Sequence, residues 1–137
     1  MKFNKLIPEF TVFDFAKSLN FYTQILEFTI RYQRPSPAFA FLEFEGSQIM
    51  IQQQDRKDNW SVGEMIHPYG RGINFQIDVP DVDRIYSRLK ENKYKIFAPP
   101  EDHYYKENST IHHEREILVQ DPDGYLLRFS QSMEEKQ

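Results

Sequence analysis

Few residues in this chain have types and spacings that suggest chemistry. There are four histidines and no cysteine, so thiolate nucleophiles and cysteine-based zinc sites are excluded at once. His112 and His113 are adjacent, and on a strand neighbouring side chains point to opposite faces, so they cannot chelate one ion together. His103 lies in a tyrosine-rich stretch, EDHYYKENST, that reads as turn-like, and His67 falls in a polar connection. All four are read as surface or loop histidines. No Gly-x-Ser-x-Gly elbow is present, and the five glycines form neither a dinucleotide nor a Walker spacing. Asp121 and Asp123, in Asp-Pro-Asp-Gly, are explained by the turn they build. Arg128 is harder to explain, because it is a permanent cation inside the returning apolar strand YLLRFS. It either anchors a ligand carboxylate, sulfate or phosphate, or pairs with a carboxylate such as Glu9 or Glu43.

The elements that must position these groups occur twice. Residues 8–30, PEFTVFDFAKSLNFYTQILEFTI, and 73–96, INFQIDVPDVDRIYSRLKENKYKI, each read as strand, helix and second strand. Asp14 and Asp81 are suited to cap the helices, since a short side-chain oxygen accepts an orphan amide hydrogen bond. Phe15, Leu19, Tyr22 and Leu26 in the first helix, and Val82, Ile85 and Leu89 in the second, fall at helical spacing. Each unit is followed by a hairpin: AFAFLEF (38–44) with QIMIQQ (48–53), and EREILVQ (114–120) with YLLRFS (125–130). The expected fold class is therefore α+β, with one domain built from two βαβββ modules, 6–54 and 71–131. A connecting loop, 55–70, carries the only tryptophan, Trp60. A loop of that length is usually functional. The tail SMEEKQ is expected to fray.

Strand alternation sorts the side chains onto two faces. Phe10 and Val12, Ile49 and Ile51, Ile73, Phe75 and Ile77, and Leu127 and Phe129 are wholly apolar rows that must pack on the helices. The opposite rows are mixed: Ile7, Glu9 and Thr11; Gln48, Met50 and Gln52; Gly72, Asn74 and Gln76; Leu126, Arg128 and Ser130. In AFAFLEF, either Phe39 and Phe41 or Ala40, Leu42 and Phe44 form the core row, and the other row faces a cleft or an interface. If the sheets curl, the mixed rows line a wet cleft. Trp60 then serves as a lid or stacking platform for a flat ligand, or packs on its own loop or a partner subunit.

The bulk numbers exclude several classes. A net charge of −4, with no basic run, argues against nucleic acid. No apolar run of membrane-spanning length occurs, and MKFNKLIPEF lacks a secretory h-region. A cytoplasmic location is the expectation. The 12 Phe and 8 Tyr fill a core or line a pocket for a flat ligand.

PEFTVFDFAKSLNFY (8–22), FLEFEGSQIMI (41–51) and DPDGYLLRF (121–129) together resemble the vicinal oxygen chelate superfamily. This superfamily includes glyoxalase I, extradiol dioxygenases and the bleomycin resistance proteins. The resemblance implies paired βαβββ modules, sheets curling around a cleft, and in many members a homodimer. In the metalloenzymes His or Glu ligands occupy four cleft-facing positions, which fall here on Ile7, Met50, Gly72 and Arg128. None supplies the nitrogen or carboxylate oxygen that such a metal prefers, and Arg128 repels a cation. The resemblance is therefore to the metal-free bleomycin-resistance type, associated with antibiotic resistance. The expectation is a sequestering small-molecule binder without metal or cofactor. Its ligand contacts would be Glu9, Phe39, Phe41, Glu43, Met50, Gln52, Trp60, Gln76 and Arg128. Two alternatives stay open. One is a divergent metal-dependent lyase, isomerase or dioxygenase using Glu9 with His103 or His112. The other is an interaction module with no ligand.

Overall fold

The computed structural model describes residues 2–55 and 60–134. The first sheet, sheet A, contains β1 (Glu9–Val12), β2 (Thr29–Pro35), β3 (Ala38–Phe44) and β4 (Ser47–Gln53) in the order β1-β4-β3-β2. Sheet B contains β5 (Asn74–Asp78), β6 (Ala98–Glu107), β7 (Thr110–Gln120) and β8 (Leu126–Ser132) in the matching order β5-β8-β7-β6. The pairs β1–β4 and β5–β8 are parallel and the others antiparallel. Each parallel pair brings a module's first strand beside its last, which requires the intervening helix as a crossover. The fold is α+β, two βαβββ units.

Helix α1 (Phe15–Asn20) starts at Asp14, whose carboxylate accepts from Lys17 N at 3.2 Å. It widens into a π-helical segment, Phe21–Ile25, and the Leu26 amide donates to Phe21 O. A simple 3.6 period misses this widening. It turns Phe21 and Ile25 inward with Tyr22 and Leu26, whereas Phe15 and Leu19 are only partly buried. Helix α2 (Val82–Glu91) is capped by Asp81 and buries Val82, Ile85 and Leu89. Arg84 pairs with Glu27, and the Arg88 Nε donates to Ile25 O at 2.8 Å, tying α2 to the end of the first helical segment.

One buried cluster takes its residues from both helices and from one face of each sheet: Phe10, Val12, Ala40, Leu42, Ile49 and Ile51 from A, Ile77, Ile117, Val119, Leu127 and Phe129 from B. Phe10 lies 4.8 Å from Phe75 and 4.5 Å from Tyr125 between ring centroids. The face of each sheet opposite this core is its open face.

Several sequence expectations need correction. Ile73 precedes β5 and is 51% exposed, because pairing with β8 begins only at Asn74. The second strand of the second unit lies beyond the stretch 73–96 read for it, at Ala98–Glu107, and the stretch read as turn-like around His103 is part of it. The reversal falls at Asn108, in the left-handed region at φ 52°. The tail is ordered further than expected: β8 reaches Ser132, and the Met133 amide donates to His113 O at 2.9 Å. Residues 135–137, and 56–59 of the connection, lie outside the described residues.

Candidate functional site

Backbone register assigns each expected contact to a face. On sheet A, Glu9 and Phe41 both oppose Met50, Phe39 opposes Gln52, and Glu43 opposes Gln48. Glu9, Phe39, Phe41, Glu43, Met50 and Gln52 therefore share the open face of one sheet. Gln76 and Arg128 are direct partners on the open face of sheet B. Trp60 is 97% exposed in the connection. Ile7 precedes β1 and Met50 is on β4, while Gly72 precedes β5 and Arg128 is on β8. The four residues expected to converge on one hollow thus divide between the two sheets. An isoleucine, a thioether, a glycine and a guanidinium do not fit a divalent metal. Among the described residues no three His, Asp or Glu side chains are grouped to hold a metal ion.

The open face of sheet A is aromatic. Phe39 and Phe41 are 1% and 2% exposed although they stand outside the main core. Tyr32, from edge strand β2, lies 5.8 Å from Phe39 and is stacked on Phe41 at 5.3 Å. The Arg34 guanidinium sits 4.1 Å over Phe39. A shift of register between Ile30 and Tyr32 makes Arg31 an extra residue, so that Tyr32 and Arg34 join it on the open face. There Arg31 Nη1 donates to Glu43 Oε2 at 2.6 Å, and Gln48 Nε2 donates to the same oxygen at 2.7 Å. The Gln48 amide, with Arg31 beside it, holds the Glu43 carboxyl below its ordinary range.

The open face of sheet B is polar and centred on Glu116, a buried carboxylate. Its Oε1 accepts from the Tyr105 hydroxyl and meets His103 Nδ1 at 2.9 Å, and its Oε2 lies 3.5 Å from Arg128 Nη1. Arg128 therefore pairs with Glu116, not with Glu9 or Glu43. The chain folds so because Leu118, two residues after Glu116, opposes Arg128, bringing the two charges onto one face. Burial raises the Glu116 pKa, but hydrogen bonds from Tyr105 and His103 and the charge of Arg128 outweigh it and hold the carboxyl low. Glu116, with Glu101, holds the His103 imidazolium above its ordinary pKa. Glu116 Oε2 and Arg128 Nε are buried without a hydrogen-bond partner.

Sequence reading missed Glu116, Tyr105 and Arg31, and named His103 only as a ligand in the metal-dependent alternative. The parity rule applied to EREILVQ would have found Glu116, since Ile117 and Val119 point to the core. Nothing local announces the bulge at Arg31.

The Asp121-Pro122-Asp123-Gly124 turn is a clamp between modules. Asp121 Oδ1 accepts from the amides of Asp123, Gly124 and Tyr125, and Oδ2 from the Tyr22 hydroxyl at 2.7 Å. Burial pushes the Asp121 carboxyl up to about 6. Asp123 accepts from the Phe13 amide and meets His67 Nε2 at 3.1 Å. A depression of about 480 Å³ beside this turn, lined in part by Lys17, His67, Tyr94 and Phe97, contains none of the expected contacts. A second, of about 360 Å³, is lined by Gln76 with Glu45, Asp78, Glu114 and Ser130.

The sequence profile of the Glyoxalase/Bleomycin resistance protein/Dioxygenase superfamily matches residues 6–129. A superfamily member from Vibrio splendidus 12B01 is 32% identical, over 91% of this chain and 95% of that one, with a TM-score of 0.43. A glyoxalase/bleomycin resistance protein/dioxygenase from Alicyclobacillus acidocaldarius is 18% identical over 96% and 92%, with a TM-score of 0.66. TioX from Micromonospora sp. ML1 is 18% identical over 95% and 99%, with a TM-score of 0.70. No curated protein matches the chain.

Proposed function

Because the chain belongs to the glyoxalase/bleomycin resistance protein/dioxygenase superfamily, we propose that it works as a metal-free, cytoplasmic binder that sequesters a small molecule, in the manner of the bleomycin-resistance branch. One observation carries this reading. The position where the family's metalloenzymes place a carboxylate holds Arg128, already neutralised by Glu116. The site has exchanged a cation receptor for an internal ion pair. No helix is long and apolar enough to cross a membrane among the described residues.

The binding surface is the open face of sheet A: Phe39 and Phe41 as aromatic floor, Glu9, Glu43, Met50 and Gln52 around them. Gln76 and Arg128 belong to sheet B. A cleft using both sets is completed by a second copy, whose sheet B faces the first copy's sheet A, with Trp60 at its rim. A homodimer is therefore part of the proposal. Bleomycin itself is disfavoured as the ligand, because Arg31, Arg34 and Arg128 all sit on the open faces.

A thermal-shift screen of small aromatic compounds tests the reading. A ligand at about 100 times its dissociation constant adds about 2.7 kcal/mol, well within detection. Sedimentation should give a dimer. About one transition-metal ion per chain in protein purified without chelator overturns the proposal in favour of a metalloenzyme. An intact dimer that no compound stabilises favours an interaction module.

A further inference from the structure

The floor of the sheet A site is already covered, and the cover comes from this chain. Residues Lys2, Phe3 and Asn4 belong to no strand, yet they cross the open face as a strap. Gln48, only 5% exposed, uses both ends of its amide on it. Its Oε1 accepts from the Asn4 N–H at 2.7 Å, and its Nε2 donates to Lys2 O at 2.8 Å. Arg31 Nη1 donates to the same carbonyl at 3.1 Å. Between these ties the Phe3 ring meets Phe41 edge-on at 5.3 Å, and the Arg31 guanidinium lies 5.2 Å from the Phe3 centroid.

We propose that this strap is a built-in occupant of the binding site, and that the ligand it stands for is a small aromatic amide. Such a ligand has a ring for Phe41, a carbonyl for Gln48 Nε2 and Arg31, and an N–H for Gln48 Oε1. The inference rests on the small-molecule-binding reading above and adds the ligand's chemical class.

Three features make the strap displaceable and the site durable without it. The strap is weakly held. Phe3 is 49% exposed and Leu6 86% exposed, so little apolar surface is buried. Besides the ties above, Asn4 Nδ2 donates to Gly46 O at 2.9 Å, and hydrogen bonds of this kind each add only about 1 kcal/mol net. The receptor groups do not depend on the strap for their positions. Glu43 Oε2 holds both Arg31 and Gln48, so the two donors stay aimed when the strap leaves. Finally, departure of the strap leaves the Gln48 amide oxygen, one Gln48 N–H and an Arg31 N–H over an aromatic ring, and a planar aryl amide satisfies them in the same pattern. A purely apolar ligand leaves them unpaired and is rejected.

The test uses N-acetyl-L-phenylalanine amide as probe, titrated by calorimetry into full-length protein. The variant Phe3→Ala/Asn4→Pro removes the competing ring and the competing N–H together. It should bind the probe about tenfold more tightly, because a site that is mostly occupied by its own strap shows an affinity reduced by the open fraction. Adding Gln48→Ala should abolish that gain. Should the double variant melt early, Phe3→Ala alone carries the same expectation with a gain of about threefold. Unchanged affinity in a variant that melts like the parent overturns the proposal. Aromatic compounds that bind the sheet A face equally in parent and variant overturn it while leaving the binder reading standing. If no compound binds either form, both fall.

Discussion

The two open faces share a topology and a strand order but are closed by different chemistry. On sheet A, Tyr32 and Arg34 lie over Phe39, Tyr32 and Phe3 pack on Phe41, and the Arg31–Glu43 ion pair borders these rings. On sheet B, His103, Tyr105 and Arg128 converge on the buried Glu116. A ring can lift off a ring and leave both wettable, whereas a buried carboxylate cannot lose a partner without a charge left uncompensated. Sheet A is suited to exchange its cover, and sheet B to hold its shape.

Breaking the sheet B cluster should have the largest effect. Arg128→Leu is expected to lower stability by about 2–3 kcal/mol, since the buried carboxylate loses a charged partner. Chemical denaturation measures it. Adding Glu116→Gln in the same chain should recover most of that loss, and a non-additive cycle of this sign is the signature of the pair. Recovery of nothing would mean that Arg128 stabilises through packing alone. On sheet A, Tyr32→Ala should cost less, about 1–2 kcal/mol from two lost ring contacts.

The pH profile sharpens the contrast further. The Glu116 contribution is present above the ordinary glutamate value of 4.5 and is lost as pH falls through its lowered pKa. The His103 contribution is present below 6.5 and is lost as pH rises through its raised pKa. His103→Asn should therefore shrink the alkaline limb of the stability curve, leaving the share of His112, whose pKa Glu107 and Glu134 also raise, and leave the acid limb. Asp121 works in the opposite sense to Glu116. Its carboxyl is raised from 3.8 to about 6, so its contribution is present below 3.8 and lost as pH rises through about 6. Asp121→Asn should flatten the curve between those values. The smallest effect is expected from Trp60→Ala, within about 0.5 kcal/mol of the parent, because the side chain is exposed.

The duplicated fold was legible because alternation and capping are local signals. Phe10, Val12, Ile49, Ile51, Leu127 and Phe129 are buried as their parity requires, and Asp14 and Asp81 cap as expected. Three things were not legible, each for a physical reason. Strand β6 and the first part of β7 carry Tyr, His and charged residues on both faces, so no apolar row marks them. The π-helical widening and the bulge at Arg31 each insert or shift one residue, and a fixed period cannot register that. The strap is tied by side-chain amides at sequence separations of 42 to 46 residues, where no local pattern exists. Arg128 stands out in sequence as a cation in an apolar strand, but its partner Glu116 lies on β7, two residues from the Leu118 it opposes.

The crossing of the connection over the Asp121–Gly124 turn limits how the two halves can be rearranged. Gly70, at φ +74°, has Tyr125 Cδ1 2.5 Å from where a Cβ would stand, and a Cβ on Gly124 would run into Pro68. The Tyr69 amide also donates to Asp123 O at 2.7 Å. Everything from His67 onward is thus keyed to the second half. A tether lengthened or cut to let the halves trade places between copies has to be altered upstream of His67, and the same edit downstream would jam the joint.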